Sequence, residues 1–143
     1  MIYTPLTKKA MKIAFEAHKD QKDKSGMPYI YHPVHLAEQM NDEATTCVAL
    51  LHDVVEDADT TFEVLEREGF TVEIIEALKL LTHDDAAPYM EYVAAIKNNP
   101  IAKAVKLADL AHNSDLTRLD VVDEKAIQRA EKYKQAIALL QTV

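Results

Sequence analysis

Residues 43–57, EATTCVALLHDVVED, set the first constraint on the fold. As a helix the segment is apolar nearly all round, with Cys47, Val48, Ala49, Leu50, Leu51, Val54 and Val55. Such a helix is buried on every side, so other helices must surround it. The rest of the chain supplies them. Thr4-Pro5 reads as an N-cap followed by proline at the first helical position, and Ala10, Ile13, Ala14 and Ala17 make a stripe running to about His18. His32-Pro33 opens a second helix to about Met40. The apolar segment forms a third, from about Glu43 to Val55 or slightly beyond. Thr60 and Glu63 make a capping box for a short helix that Gly69 ends. Thr71 starts the next, with Val72, Ile75, Leu78 and Leu81 facing inward. Helices follow at about 89–98, 101–117 and 123–142, the last burying Ala130, Tyr133, Ile137 and Leu140. No segment alternates with period two, so the expected architecture is all-α, a single-domain bundle of seven to eight helices.

Composition removes several function classes. Only Gly26 and Gly69 are available, which excludes a glycine-rich phosphate loop and a dinucleotide fingerprint. A net charge of −8 disfavours nucleic-acid binding, which depends on Lys and Arg neutralising phosphates. A small anionic ligand remains compatible if cations gather locally. No apolar run is long enough to cross a bilayer, and neither a membrane span nor a signal peptide is expected. The lone Cys47 has no internal disulfide partner and suits a reducing cytoplasm. Nothing in the sequence speaks to oligomeric state.

Polar groups interrupt the apolar helices in two places. His52 and Asp53 stand at the end of the third helix, and Glu56 and Asp57 follow Asp53 by three and four residues, on one face. Carboxylates at a helix C-terminus oppose the macrodipole and repel one another, so a bound cation would relieve both problems. Downstream, VKLADLAHNSDL carries Asp109, His112 and Asn113 at i, i+3 and i+4, with Lys106 one turn earlier. His32 sits at a helix start. If the two apolar helices pack together, Asp109 can meet His52 and Asp53. Two imidazoles and two carboxylates form a mixed nitrogen and oxygen site suited to Mn²⁺, Fe²⁺ or Zn²⁺, with positions left for water or a phosphate oxygen. The alternative is a buried ion-pair network without metal.

HPVHLAEQM, ALLHDVVEDADTT and VKLADLAHN, in this order and spacing, resemble the hydrolase domain of the RelA/SpoT family and its stand-alone small alarmone hydrolases, within the HD superfamily of metal-dependent phosphohydrolases. The resemblance covers roughly residues 8–118. It implies His32, His52, Asp53 and Asp109 as metal ligands, usually of Mn²⁺, and Glu56 and Asp57 as the catalytic acid pair. It makes QKDKSGMPYI a nucleotide-facing loop, with Lys22, Lys24, Ser25 and Tyr29 as contacts. Asn113 matches a residue that contacts ribose or phosphate, and Lys106 is a further candidate contact. The implied reaction is hydrolysis of the 3′-diphosphate of guanosine tetraphosphate or pentaphosphate, releasing pyrophosphate. The 143 residues leave no room for a synthetase domain, so the expectation is removal of the alarmone. Two departures stand out. Family members usually carry an adjacent Arg-Lys pair in the loop, where Lys22 and Lys24 here flank Asp23. Leu110 stands where a basic residue is common. Hydrolysis of another nucleotide or phosphoester, and nucleotide binding without hydrolysis, are the alternative functions.

Overall fold

A computed structural model of the chain describes residues 1–57 and 59–142, the side chain of Asp57 excepted. The architecture is all-α, with no strand among the described residues. The elements are α1 (Pro5–His18), α2 (Tyr31–Glu38), α3 (Glu43–Leu51), α4 (Val54–Asp57), α5 (Phe62–Arg67), α6 (Val72–Leu81), α7 (Tyr89–Ile96), α8 (Pro100–Asn113), a single 3₁₀ turn η1 (Leu116–Arg118) and α9 (Glu124–Gln141). No helix among the described residues is long and apolar enough to cross a membrane.

Helix α3 is the axis of the molecule. Every residue from Thr45 to Leu51 is buried, and α1, α2, α6 and α8 pack around it. Local chemistry fixes its start: the Asp42 carboxylate accepts from the Thr45 backbone N–H at 2.8 Å and from the Thr45 hydroxyl at 2.6 Å. Side-chain caps from Thr4, Thr71, Asn99 and Asp123 likewise start α1, α6, α8 and α9.

Three sequence expectations change. The helix expected over 43–55 is two helices, with a break at His52 and Asp53. In a continuing helix the Ala49 carbonyl would accept from the Asp53 N–H. Here the His52 imidazole Nδ1–H donates to that carbonyl at 2.6 Å, so a side chain competes for the ladder's acceptor. The short helix is capped by Thr61, not Thr60: the Thr61 hydroxyl accepts from Val64 N–H at 3.2 Å. Val72 faces solvent, 74% exposed, and Ile74 takes the buried position beside Ile75.

Leu50 is fully buried at the centre of the bundle. Truncating it leaves a cavity in the core. Leu50→Ala is expected to lower the unfolding free energy by about 3 kcal/mol in urea titrations. Ile127→Ala, at a position 49% exposed, should change it by less than about 0.5 kcal/mol.

Candidate metal centre

Three helices bring the polar residues together. His32 lies in the first turn of α2, His52 at the α3–α4 break, and Asp109 on the face of α8 that packs against α3. All three are buried. One ligand atom from each lies within 4.8 Å of the others, a spacing that a single metal ion can bridge. Asp53 joins through His52: its Oδ2 is 3.0 Å from His52 Nε2. The Tyr29 hydroxyl donates to the same carboxylate oxygen in a short hydrogen bond.

The donor atoms fit a cation. Because its Nδ1–H is given to the Ala49 carbonyl, neutral His52 presents the Nε2 lone pair to its surroundings. That nitrogen is buried, lies 3.0 Å from Asp53 and 3.6 Å from Asp109, and is hydrogen-bonded to neither. A lone pair facing two carboxylates is repulsive unless a positive charge stands among them. Without metal, that charge is a proton. Burial alone would lower the His52 pKa, but the adjacent Asp53 and Asp109 outweigh it and hold it well above the usual imidazole value. Burial would raise Asp53; His52 instead brings it down to about 2. At Asp109 burial is likewise outweighed, first by Lys106 and then by the two histidines, and its pKa falls well below the carboxylate range.

Both oxygens of the Asp109 carboxylate have partners. His32 Nε2 is 2.8 Å from Oδ1, the Asn113 amide donates to Oδ1 at 3.1 Å, and Lys106 Nζ donates to Oδ2 at 3.0 Å. Lys106 also stands 5.2 Å over the Tyr92 ring.

Two cavities open on either side of this cluster. One, of about 350 Å³, is bounded by the 21–29 loop, His32, Asn113, η1 and the start of α9. The other, of about 220 Å³, exposes His52, Asp53, Asp109, Glu56, His83, Lys106 and Lys132. Asn113 and Tyr133 line both. Buried imidazole and carboxylate groups between two cavities that both carry cationic side chains suit a bound ion acting on a phosphorylated ligand.

A family model described as "HD domain" matches residues 10–87, a span that contains His32, His52 and Asp53. The chain belongs to the HD-domain family. Among its relatives is the guanosine-3′,5′-bis(diphosphate) 3′-pyrophosphohydrolase MESH1 of Danio rerio, 35% identical over 144 residues, covering 91% of this chain and 79% of that one. Homo sapiens MESH1 is 38% identical over 123 residues, 76% of this chain and 68% of its own. The Aquifex aeolicus protein named for the same activity is 36% identical over 138 residues; the match covers 89% of this chain but only 19% of that longer one. A solved structure, titled as a metazoan ortholog of SpoT that hydrolyzes ppGpp and plays a role in starvation responses, superposes with TM-score 0.82 at 25% identity, over 99% of this chain and 88% of the other.

The residues singled out from sequence are distributed unevenly in the structure. His32, His52, Asp53 and Asp109 converge. Lys22, Lys24, Ser25 and Tyr29 line the larger cavity. Tyr29, however, also reaches the cluster through Asp53, and Lys106 is committed to Asp109. Glu56 lines the smaller cavity, where its Oε1 accepts from the His83 backbone N–H at 2.7 Å. Asp57, the other expected acid, has its side chain outside the described residues. Leu110 is buried, so it presents nothing to a ligand.

Sequence reading did not single out Arg118, Arg129 or Tyr133 as site residues, yet all three line the larger cavity. Two of the chain's three arginines in one cavity of an acidic protein is the signal that was available. Arg118 Nη2 lies 3.7 Å from Asp23, and its Nη1 donates to the His112 carbonyl at 2.9 Å. Ser25 reinforces this closure by donating to the Arg118 carbonyl at 3.0 Å.

The pKa directions predict how metal-free stability varies with pH. His52, raised by folding, contributes fully below its unfolded value of roughly 6.5, and this is lost as pH climbs through its folded pKa. Asp53 and Asp109, lowered by folding, contribute above roughly 3.9 and lose this as pH falls, Asp53 through about 2. Urea titrations of EDTA-treated protein should therefore show the cluster's contribution greatest between these two unfolded values. Stability should decline as pH rises above the upper one, and His52→Gln should flatten that decline.

Proposed function

We propose that this chain is a divalent-metal-dependent phosphohydrolase that removes the 3′-diphosphate of guanosine tetraphosphate or pentaphosphate as pyrophosphate. The observation that carries the reading is the buried His52 Nε2, held between the carboxylates of Asp53 and Asp109 with no hydrogen bond. His32, His52, Asp53 and Asp109 hold the ion in this reading, with Mn²⁺ preferred and Fe²⁺ or Zn²⁺ compatible with the same donors. The relatives named for this activity support the substrate.

When bound, the ion lowers the pKa of water towards neutrality and polarises a phosphoryl oxygen. Attack by water on the phosphorus joined to O3′ forms a new P–O bond as the P–O3′ bond breaks. The 3′ oxygen takes a proton to become a hydroxyl, and pyrophosphate departs. Glu56, on the wall of the smaller cavity with Asp53, accepts the water's proton. Asp57 is assigned to the same acid pair by the family resemblance. Lys22, Lys24, Arg118 and Arg129 offset the substrate's charge, which a chain of net charge −8 otherwise repels. Ser25 and Asn113 supply polar contacts to ribose or phosphate. Tyr29 orients Asp53, and Lys106 balances the charge of Asp109. We place the protein in a reducing cytoplasm, in keeping with its buried Cys47, whose thiol burial pushes up to about 12.

One observation favours a second reading with the same chemistry and another nucleotide. Asp23 sets a carboxylate among the cations of the larger cavity, 3.7 Å from Arg118. An acid there opposes a ligand carrying two diphosphates.

The test is pyrophosphate release from ppGpp by Mn²⁺-loaded protein. Turnover should be abolished by EDTA and restored by Mn²⁺. Glu56→Gln should slow it by roughly 10²–10⁴-fold, the usual contribution of a general base. No release from ppGpp, with turnover of another nucleotide in a phosphorylated panel, would establish the second reading instead.

A further inference from the structure

His112 follows Asp109 by three residues on α8 and so shares its face. Its ring lies nearly in the plane of His32, 7° apart, with centroids separated by 5.0 Å. The two Nδ1 atoms are 2.7 Å apart. Coplanar rings at that centroid distance, joined nitrogen to nitrogen, meet edge to edge in an in-plane hydrogen bond. On its face His112 is covered by His35, with centroids 4.1 Å apart and an interplanar angle of 26°. Arg118 donates to the His112 backbone carbonyl. The ring is therefore held by His32 at its edge and His35 on its face, and Arg118 holds the backbone that carries it.

In an Nδ1–Nδ1 contact, one nitrogen carries the proton and the other a lone pair. His32 directs its Nε2 to Asp109 at 2.8 Å. To give the Nε2 lone pair to a metal, His32 must keep its proton on Nδ1 and donate it to an acceptor. His52 meets the same requirement with the Ala49 backbone carbonyl. For His32 the atom in place is His112 Nδ1.

We propose that His112 is the positioning residue that fixes the metal-binding tautomer of His32, accepting the His32 Nδ1–H through its own Nδ1. This rests on the metal reading above. A carbonyl accepts in one direction only, whereas an imidazole can reverse. In the metal-free pair, His32 Nε2–H donates to Asp109 and His112 Nδ1–H donates to His32 Nδ1. On metal entry His32 gives up its Nε2 proton, the shared proton moves from His112 Nδ1 to His32 Nδ1, and His112 takes a proton on Nε2. One proton leaves and one is gained, so the pair changes role without changing charge. His112 thus lets a buried histidine serve Asp109 when metal is absent and the ion when it is present.

The test compares Mn²⁺ affinity, by chelator competition, in wild type, His112→Asn and His112→Phe. Asn retains an acceptor oxygen; Phe keeps a flat ring and has none. The expected result is a 10–100-fold weaker affinity for His112→Phe, the usual effect of losing a ligand's hydrogen-bond partner, with Asn closer to wild type. Nitrogen-15 spectra of the Zn²⁺-loaded wild type provide a second readout, independent of any variant's folding. They should place the proton on His32 Nδ1, with His112 protonated at Nε2. Wild-type affinity in His112→Phe, or a proton on His112 Nδ1 in the loaded protein, would overturn the proposal. Failure of the wild type to bind Mn²⁺ at all would instead remove the metal reading, and this inference with it.

Discussion

The carboxylate of Asp109 is the constraint on which the rest depends. A buried charge is tolerated only where partners replace the water it has lost. Asp109 has Lys106 and Asn113 from its own helix and His32 from α2, with His52 from the α3–α4 break close by. These contacts fix the relative positions of three helices around one point. They also leave His52 Nε2 unsatisfied, between two acids. The cluster is therefore incomplete as a network of protein groups alone, and complete once a positive charge enters it.

The surroundings divide the labour. On one side, lysines and arginines from the 21–29 loop, η1 and α9 gather in a chain that is otherwise acidic. On the other, Glu56 and Lys106 line a smaller space together with His52, Asp53 and Asp109. Tyr29 joins the loop to the centre by donating to Asp53, and Asn113 borders both cavities while donating to Asp109. Groups that would meet a nucleotide and groups that would hold the ion are thus mechanically linked.

Much of this was legible in the sequence because it is local. Caps such as Thr4, Thr71 and Asp123 announce helix starts through their own side-chain chemistry, and the apolar completeness of residues 43–55 requires a central helix. That Asp109 could meet His52 and Asp53 followed from asking why polar groups interrupt apolar helices, whereas His32 was added by the family resemblance. What stayed hidden depends on tertiary contacts or on competition between near-equal local choices. The break at His52 has no glycine or proline to mark it; it coincides with an imidazole taking one backbone carbonyl. Thr60 and Thr61 offer the same capping hydroxyl one residue apart, and the fold uses the second. Arg118 reaches Asp23 across 95 positions of sequence, and His112 meets His32 across 80, so neither role has a local signature.

The most direct test of the central claim is anomalous diffraction from crystals of the protein grown with Mn²⁺. The account predicts one strong peak per chain, bonded to His32 Nε2, His52 Nε2 and carboxylate oxygens of Asp53 and Asp109. A fully folded protein with no peak at that point, or with manganese held elsewhere, would contradict it.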